Sequence, residues 1–198
     1  MDSLGRRNVL FAVTTVVWLL LDQVTKLWIE GNLAYRVDEI VVIPGFLSIV
    51  HAQNPGAAFG LLGGFGNRHV VFVVFTLVAL WIVYDMFRKL ARDAVFMPIA
   101  LGLVLSGALG NAFDRARQQY VTDFIRVYTD NPSIKAWLID NFGTYEWPSF
   151  NIADTALVIG VGMFVIHGLF LEKKEEPAPA GDAAPTTEPV APTDSASS

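Results

Sequence analysis

Four aspartates carry the chemistry that this 198-residue sequence can offer, and they are Asp22, Asp114, Asp123 and Asp154. Two carboxyl groups held close together cannot both ionise, so one keeps a proton while the other can take a proton from water. Such a pair is suited to the hydrolysis of an amide bond by an activated water molecule. The sequence therefore raises the hypothesis of a hydrolase that works with carboxylates.

Other hydrolytic chemistries lack the residues that they need. The chain has no cysteine, which excludes cysteine nucleophiles, disulfides and thiolate metal sites. His51, His69 and His167 are far apart and form no H-E-x-x-H pattern, so we expect structural histidines and no zinc site. Neither G-x-S-x-G nor S-x-x-K occurs, which disfavours serine chemistry.

Neighbouring cations distinguish two of the aspartates from the others. Asp22 and Lys26 stand at i and i+4 in the favourable acid-first order, which predicts an ion pair within one helix. Asp114 is followed directly by Arg115. We therefore expect both of these acids to be held charged in structural pairs.

The remaining two aspartates have no cation at helical spacing within their own segments. These are Asp123 and Asp154, and Asn151 shares a helix face with Asp154 at i and i+3. They are the better candidates for a pair that shares one proton, although spacing alone leaves the other pairings open.

The elements that position these residues are predicted to be membrane helices. Hydrophobic residues make up 53% of the chain and charged residues only 17%, below the roughly 25% of an average soluble domain. About 20 helical residues cross the hydrocarbon core of a bilayer. One apolar stretch, 94–113, has this length without any charge, and three others approach or reach it when polar residues at their ends are included: 8–28, 69–87 and 151–171.

Lysines and arginines near the helix ends predict the orientation in the membrane. Seven fall on each side, but those on the side of both termini lie in short segments directly against the helices: Arg6, Arg7, Arg88, Lys89, Arg92, Lys173 and Lys174. We therefore expect both termini in the cytoplasm. The polar residues of the first, third and fourth helices then meet at one depth near the outer face, where such costly groups indicate pairing or function.

The connecting segments predict smaller elements on the outer side and a separate tail. Residues 38–53 are rich in Ile, Val and Phe around Pro44-Gly45 and favour a strand hairpin. Ile134, Trp137 and Leu138 stand at i, i+3 and i+4 and favour a short amphipathic helix. From residue 172 the chain is rich in Pro, Ala, Thr and Ser, which predicts a disordered cytoplasmic tail (172–198) after a membrane domain (1–171).

The charge balance of the membrane domain argues against binding to nucleic acid. The net charge of the whole chain is -5, but residues 1–171 hold 12 Lys and Arg against 13 Asp and Glu. A nucleic-acid binder needs a basic face that displaces counterions from phosphates.

Five segments, in order along the chain, resemble the motifs of the lipoprotein signal peptidases, or signal peptidase II, of bacterial inner membranes. They are 22–26 (DQVTK), 54–60 (NPGAAFG), 107–115 (GALGNAFDR), 121–124 (VTDF) and 150–154 (FNIAD). The resemblance implies four transmembrane helices, a small extracytoplasmic β-sheet that cradles the membrane surface, and a short outer helix over the site.

The resemblance also implies an activity. It implies an aspartyl endopeptidase with its site near the periplasmic face, which cleaves signal peptides from prolipoproteins before the diacylglyceryl-modified cysteine. The enzyme would be a monomer surrounded by membrane lipids. It would need no metal ion or organic cofactor. Asp123 and Asp154 match the catalytic pair. The other matched positions shape the site, hold substrate or support these residues: Asn54, Asn111, Arg115, Asn151, Asp22, Lys26, Gly56 and Asp114.

Three features depart from the family pattern, and one other function class stays open. Thr155 stands where the family more often has Ser, a change that keeps a hydroxyl. The stretch 124–150 is longer than usual by about a dozen residues, which affects the outer helix and access to the site, and the Pro/Ala-rich tail is not a family feature. The alternative is a small proton-coupled membrane transporter, because clustered acids within a membrane also mark proton relays. A relay predicts polar residues along the whole helices, yet 9–21 contains only Thr14 and Thr15.

Overall fold

Four helices of membrane-spanning length and composition dominate the computed structural model, which describes residues 3–56 and 68–171. They are α1 (Ser3–Asn32), α2 (Arg68–Lys89), α3 (Phe96–Gln118) and α5 (Ile152–Ile166), which a π-helical segment continues (His167–Leu171). The predicted four-helix membrane fold is confirmed. The tail (172–198) and residues 57–60 of the second motif lie outside the described residues.

Helix α3 lies at the centre of the bundle and packs against the three other long helices. Small residues make this close packing possible. A Cβ atom built on Gly102 would lie 2.9 Å from the carbonyl oxygen of Phe11 in α1. One built on Gly160 of α5 would lie 2.9 Å from the carbonyl oxygen of Ala100. Because α3 contacts every neighbour, polar residues on its C-terminal half can meet residues of α1 and α5.

The predicted hairpin is part of a three-stranded antiparallel sheet of order β1-β2-β3. Its strands are β1 (Glu39–Ile43), β2 (Leu47–Asn54) and β3 (Val121–Val127). The third strand, which contains the fourth motif, was not predicted as a strand. It follows α3 after a sharp reversal at Gln119, which has a left-handed backbone (φ 70°) and donates its N–H to the Arg115 carbonyl.

The pairing of β2 with β3 contains an extra residue on β2 beside Asp123. Ile49 pairs with Ile125 and Ala52 pairs with Asp123, so three steps along β2 match two along β3. Such a bulge bends its strand and re-aims nearby side chains. The sheet therefore changes direction at the position that holds one of the candidate catalytic aspartates.

The predicted amphipathic helix is α4 (Pro132–Phe142). The Asn131 side chain caps it by accepting hydrogen bonds from the backbone N–H groups of Ser133 and Ile134. Its apolar residues stay half exposed and line a cavity of about 820 Å³ beside the β1–β2 turn, together with Phe46 and Trp147. Residues of 124–150 thus line an open apolar space at the end of the sheet.

Candidate active site

The predicted site residues form a polar cluster that includes Lys26, Asn111, Asn151 and the four aspartates, and the buried Lys26 lies at its base. The side chain of Lys26 is fully buried, and its Nζ lies 2.9 Å from Oδ2 of Asp22 and 2.9 Å from Oδ2 of Asp114. It also donates to Oδ1 of Asn111 at 3.1 Å. The ammonium group has three protons, so each finds an acceptor. The predicted Asp22–Lys26 ion pair is therefore present, and it extends from α1 to α3.

The ion-pair partner of Asp114 differs from the prediction. Arg115 was expected in that role, but consecutive residues of a helix point in different directions, and Lys26 reaches Asp114 across the helix interface. Arg115 instead donates from Nη1 to the Asn111 carbonyl at 3.2 Å, and its guanidinium carbon lies 4.1 Å from the ring centre of Phe72. Its buried Nε has no hydrogen-bond acceptor among residues 3–56 and 68–171.

Two asparagine side chains connect this base to the candidate aspartates. Asn111 donates from Nδ2 to Oδ1 of Asp154 at 2.7 Å. Asn151 donates from Nδ2 to Oδ1 of Asp123, also at 2.7 Å, and it lies 3.2 Å from Oδ1 of Asn111. Each aspartate thus accepts a hydrogen bond from one of these two amides, and the two amides contact each other.

Asp154 is fixed by the start of helix α5. Asn151, which the sequence placed in the first turn of the helix, is its N-cap and accepts from the Asp154 N–H at 3.0 Å, while Asp154 Oδ2 accepts from the Asn151 N–H at 3.2 Å. Asp22 Oδ1 accepts a further N–H of this turn, that of Ala153, at 2.9 Å. The positive end of the helix dipole stabilises a negative charge on these carboxylates.

Asp123 reaches the cluster from β3 and is almost completely buried, with 2% of its surface exposed. Burial raises the pKa of Asp123 from its ordinary value to about 7, and the negative charge of Asp154 contributes to the increase. Hydrogen bonds from Asn54 and Asn151 act in the opposite direction, because they stabilise the carboxylate. Desolvation outweighs them, so a large fraction of Asp123 is still protonated near neutral pH.

The second motif closes the site from the end of β2. Asn54 Oδ1 accepts from the Gly56 N–H at 2.9 Å, which forms a tight turn. Gly56 has a φ of 98°, in the left-handed region that glycine tolerates. A Cβ atom there would also collide with the ring of Phe72, which covers the turn from α2. Gly56 therefore allows Phe72 to lie between this turn and Arg115.

Sequence reasoning missed Thr122, which touches the cluster, and Glu30, which holds Thr122. Thr122 is fully buried next to Asp123, and its hydroxyl donates to Oε1 of Glu30 at 2.6 Å. A signal for Glu30 was present, because Asp22, Lys26 and Glu30 repeat every four residues and so share one face of α1. No group of three or more His, Cys, Asp or Glu side chains in the described parts of the chain could hold a metal ion.

Comparisons with known proteins cover most of the chain. The family model described as "Signal peptidase (SPase) II" matches residues 14–170. The lipoprotein signal peptidase of Geobacter metallireducens is 36% identical over 166 residues, which cover 84% of this chain and 94% of the relative. That of Syntrophus aciditrophicus is 38% identical over 170 residues, covering 85% and 96%.

A solved structure gives the same result at the level of the fold. A structure described as a bacterial membrane enzyme superimposes with a TM-score of 0.67 at 34% identity, covering 81% of this chain and 92% of that one. The alternative of a small proton-coupled transporter receives no support from these relatives. From the matched region and the identity to these relatives, the chain belongs to the signal peptidase II family.

Proposed function

We propose that this membrane peptidase is an aspartic endopeptidase that removes signal peptides from prolipoproteins, cutting immediately before the diacylglyceryl-modified cysteine. One observation carries the aspartic assignment: the two aspartates outside the lysine cluster, Asp123 and Asp154, are each held by an asparagine amide at 2.7 Å. The family relationship supports the substrate class.

In the proposed reaction the two carboxyl groups have different roles, which follow from their different surroundings. Asp154 accepts hydrogen bonds at the start of a helix and acts as the charged base, whereas Asp123 is buried and holds the proton. Asp154 takes a proton from water, and the water oxygen attacks the peptide carbonyl carbon. Asp123 gives its proton to the leaving nitrogen as the C–N bond breaks. The products are a signal peptide with a new carboxyl terminus and a lipoprotein that begins with cysteine.

Arg115 and Asn54 are proposed to hold the substrate backbone. The buried Nε of Arg115 carries a donor without an acceptor among the described residues, and the guanidinium group lies over the ring of Phe72. A peptide carbonyl oxygen is a suitable acceptor for this group. Asn54 hydrogen-bonds Asp123 and so connects the second motif to the reacting carboxyl group. Holding the scissile bond in this way converts binding energy into orientation.

A processing assay on the purified full chain tests the catalytic pair. The substrate is a prolipoprotein that carries diacylglycerol on its cysteine, and the variants are Asp123→Asn and Asp154→Asn. Both are expected to lose cleavage by at least about 1,000-fold while keeping the thermal stability of a folded protein. Asp85→Asn removes an acid from an exposed ion pair on α2 and serves as the matched control with parental cleavage. Cleavage within a few-fold of the parent by either site variant would contradict the assignment.

We propose that the chain lies in the inner membrane with both termini in the cytoplasm and the site near the periplasmic face. We propose that it works as a monomer among membrane lipids. The absence of natural cysteines makes single-cysteine labelling direct. A membrane-impermeant maleimide added to spheroplasts should label Ser133→Cys in α4, whereas Asp93→Cys should require disrupted membranes. The reverse pattern would contradict the orientation.

A further inference from the structure

Glu30 makes an unusual number of contacts at the junction of α1, α3 and β3. Its carboxylate accepts from Arg117 Nη2 at 2.6 Å on Oε1 and 2.7 Å on Oε2. It also accepts from Gln118 Nε2 at 3.2 Å and from the Thr122 hydroxyl at 2.6 Å. Its side chain is 17% exposed. Bonds to a charged acceptor in such a sheltered place are stronger than bonds between neutral groups.

Four hydrogen bonds hold Thr122, two at its hydroxyl group and two at its backbone. Its hydroxyl donates to Glu30 and accepts from Gln118 Nε2 at 2.8 Å. Its backbone N–H donates to Asp114 Oδ2 at 3.2 Å, and its carbonyl oxygen lies 3.4 Å from Asn151 Nδ2. Thr122 therefore connects β3 to α1, to α3 and to the start of α5 by hydrogen bonds.

The orientation of Thr122 determines the orientation of its neighbour. Successive side chains of a strand point to opposite faces, so fixing Thr122 against Glu30 directs Asp123 the other way, toward Asn151. Only Gln119 and Tyr120 separate α3 from β3. Without the contacts of Glu30, a rotation of this short connection would move the Asp123 carboxyl group away from its amide donor.

We propose that Glu30 is a positioning residue for the peptidase reaction, which acts through Thr122 to hold Asp123 at the site. The assignment rests on the proposed function, because it takes Asp123 as catalytic. Glu30 itself is not proposed to touch substrate. A loss of alignment of about 1 Å at a reacting group can cost a factor of about 100 in rate, so the expected effect is on turnover.

Steady-state cleavage of the lipidated prolipoprotein by the full chain tests the proposal. Glu30→Gln should lower kcat by roughly 10- to 100-fold and change KM by less than about 2-fold. Thr122→Val removes the hydroxyl and should give the same loss of kcat. Thr122→Ser keeps the hydroxyl, so its kcat should stay within a few-fold of the parent. The double variant Glu30→Gln/Thr122→Val should lose no more kcat than either single variant, because both changes break the same contact. Glu39→Gln, which changes another glutamate paired with an arginine, should keep the parental kcat.

The same panel separates the proposal from the function on which it rests. If Asp123→Asn is inactive but Glu30→Gln keeps full kcat, the positioning role is overturned and the aspartic assignment stands. If Asp123→Asn cleaves at the parental rate, both fall. If Glu30→Gln does not fold, the two Thr122 variants decide, because they leave the Glu30–Arg117 ion pair intact: equal kcat for Val and Ser overturns the proposal. A loss of kcat that matches the fraction of unfolded protein overturns it as well.

Discussion

Lys26 Nζ donates to Asn111 Oδ1 at 3.1 Å, and this contact determines which end of the Asn111 amide faces Asp154. An ammonium group can only donate, so the amide oxygen must face Lys26 and the NH₂ group must face the Asp154 carboxylate. The buried ion pairs and the proposed catalytic pair are therefore one connected network. A substitution of Lys26 should therefore affect both the ion pairs and the proposed catalytic pair.

Replacing Lys26 should mainly lower the stability of the fold. Lys26→Met leaves the buried carboxylates of Asp22 and Asp114 without their shared cation, and breaking a buried ion pair in this way costs about 3–5 kcal/mol. We expect a large fall in thermal unfolding temperature in detergent and a loss of processing. Lys89→Met breaks an exposed pair with Asp85 of the same i,i+4 spacing and should change stability by less than about 1 kcal/mol. Equal stability of the two variants would contradict the role of the lysine.

Two asparagine helix caps separate a structural cost from a catalytic one. Asn151 caps α5 at the site, whereas Asn131 caps α4 away from it. Changing either to alanine should lower the free energy of unfolding by about 1 kcal/mol through the lost cap. Only Asn151→Ala also removes the donor to Asp123, so its kcat should fall by roughly 10- to 100-fold. Parental kcat in Asn151→Ala, or an equal loss in Asn131→Ala, would refute this distinction.

The sequence predicted the parts of the fold that follow from local properties. Hydropathy and length are local, so the four spanning helices were predicted, and the spacing of Ile134, Trp137 and Leu138 predicted α4. Strand β3 was missed because seven residues directly after a helix give too little periodic pattern. Its strand state depends on pairing with β2, which no local signal contains.

The candidate site was predictable in composition but not in its connections. The chemistry of paired acids singled out four aspartates, and the structure places all four in one hydrogen-bonded network. The partner of Asp114 was wrong, because the choice between Arg115 and Lys26 depends on how α1 packs against α3. The contact between Glu30 and Thr122 joins residues 92 positions apart, so only the folded chain reveals it.

The protonation of Asp123 should give both activity and stability a pH dependence. Its pKa is raised to about 7 by burial and by the charge of Asp154, so the folded state holds a proton that the unfolded state loses near the ordinary value of 3.8. The stabilising contribution of this group is complete below pH 3.8 and is lost as the pH rises through about 7. We expect kcat/KM to fall on the alkaline side with a midpoint near that pKa.

Two measurements check this expectation. The pH–rate profile of the parent should show the alkaline decrease, because the proposed acid is then deprotonated. Asp123→Asn cannot titrate at this position, so its unfolding temperature should depend less on pH between about 4 and 7 than that of the parent. A profile that stays flat well above pH 7, or identical pH dependence of stability in the two proteins, would contradict the proton assignment.

Two glycines with nearly the same backbone angle test whether Phe72 must lie against the second motif. Gly56 has a φ of 98° and Gly143 a φ of 73°, so alanine is strained at both and should cost about 1 kcal/mol from the backbone alone. An added Cβ meets nothing within 4 Å at Gly143, but at Gly56 it would lie 2.8 Å from Cε2 of Phe72. Gly56→Ala should therefore cost more stability than Gly143→Ala. It should also reduce processing, because the displaced ring no longer stacks on Arg115. Phe72→Leu in the Gly56→Ala background should recover part of the stability and none of the processing, since the smaller side chain removes the collision and also the ring. Equal effects of the two glycine variants on stability and processing would show that Phe72 can move freely from this position.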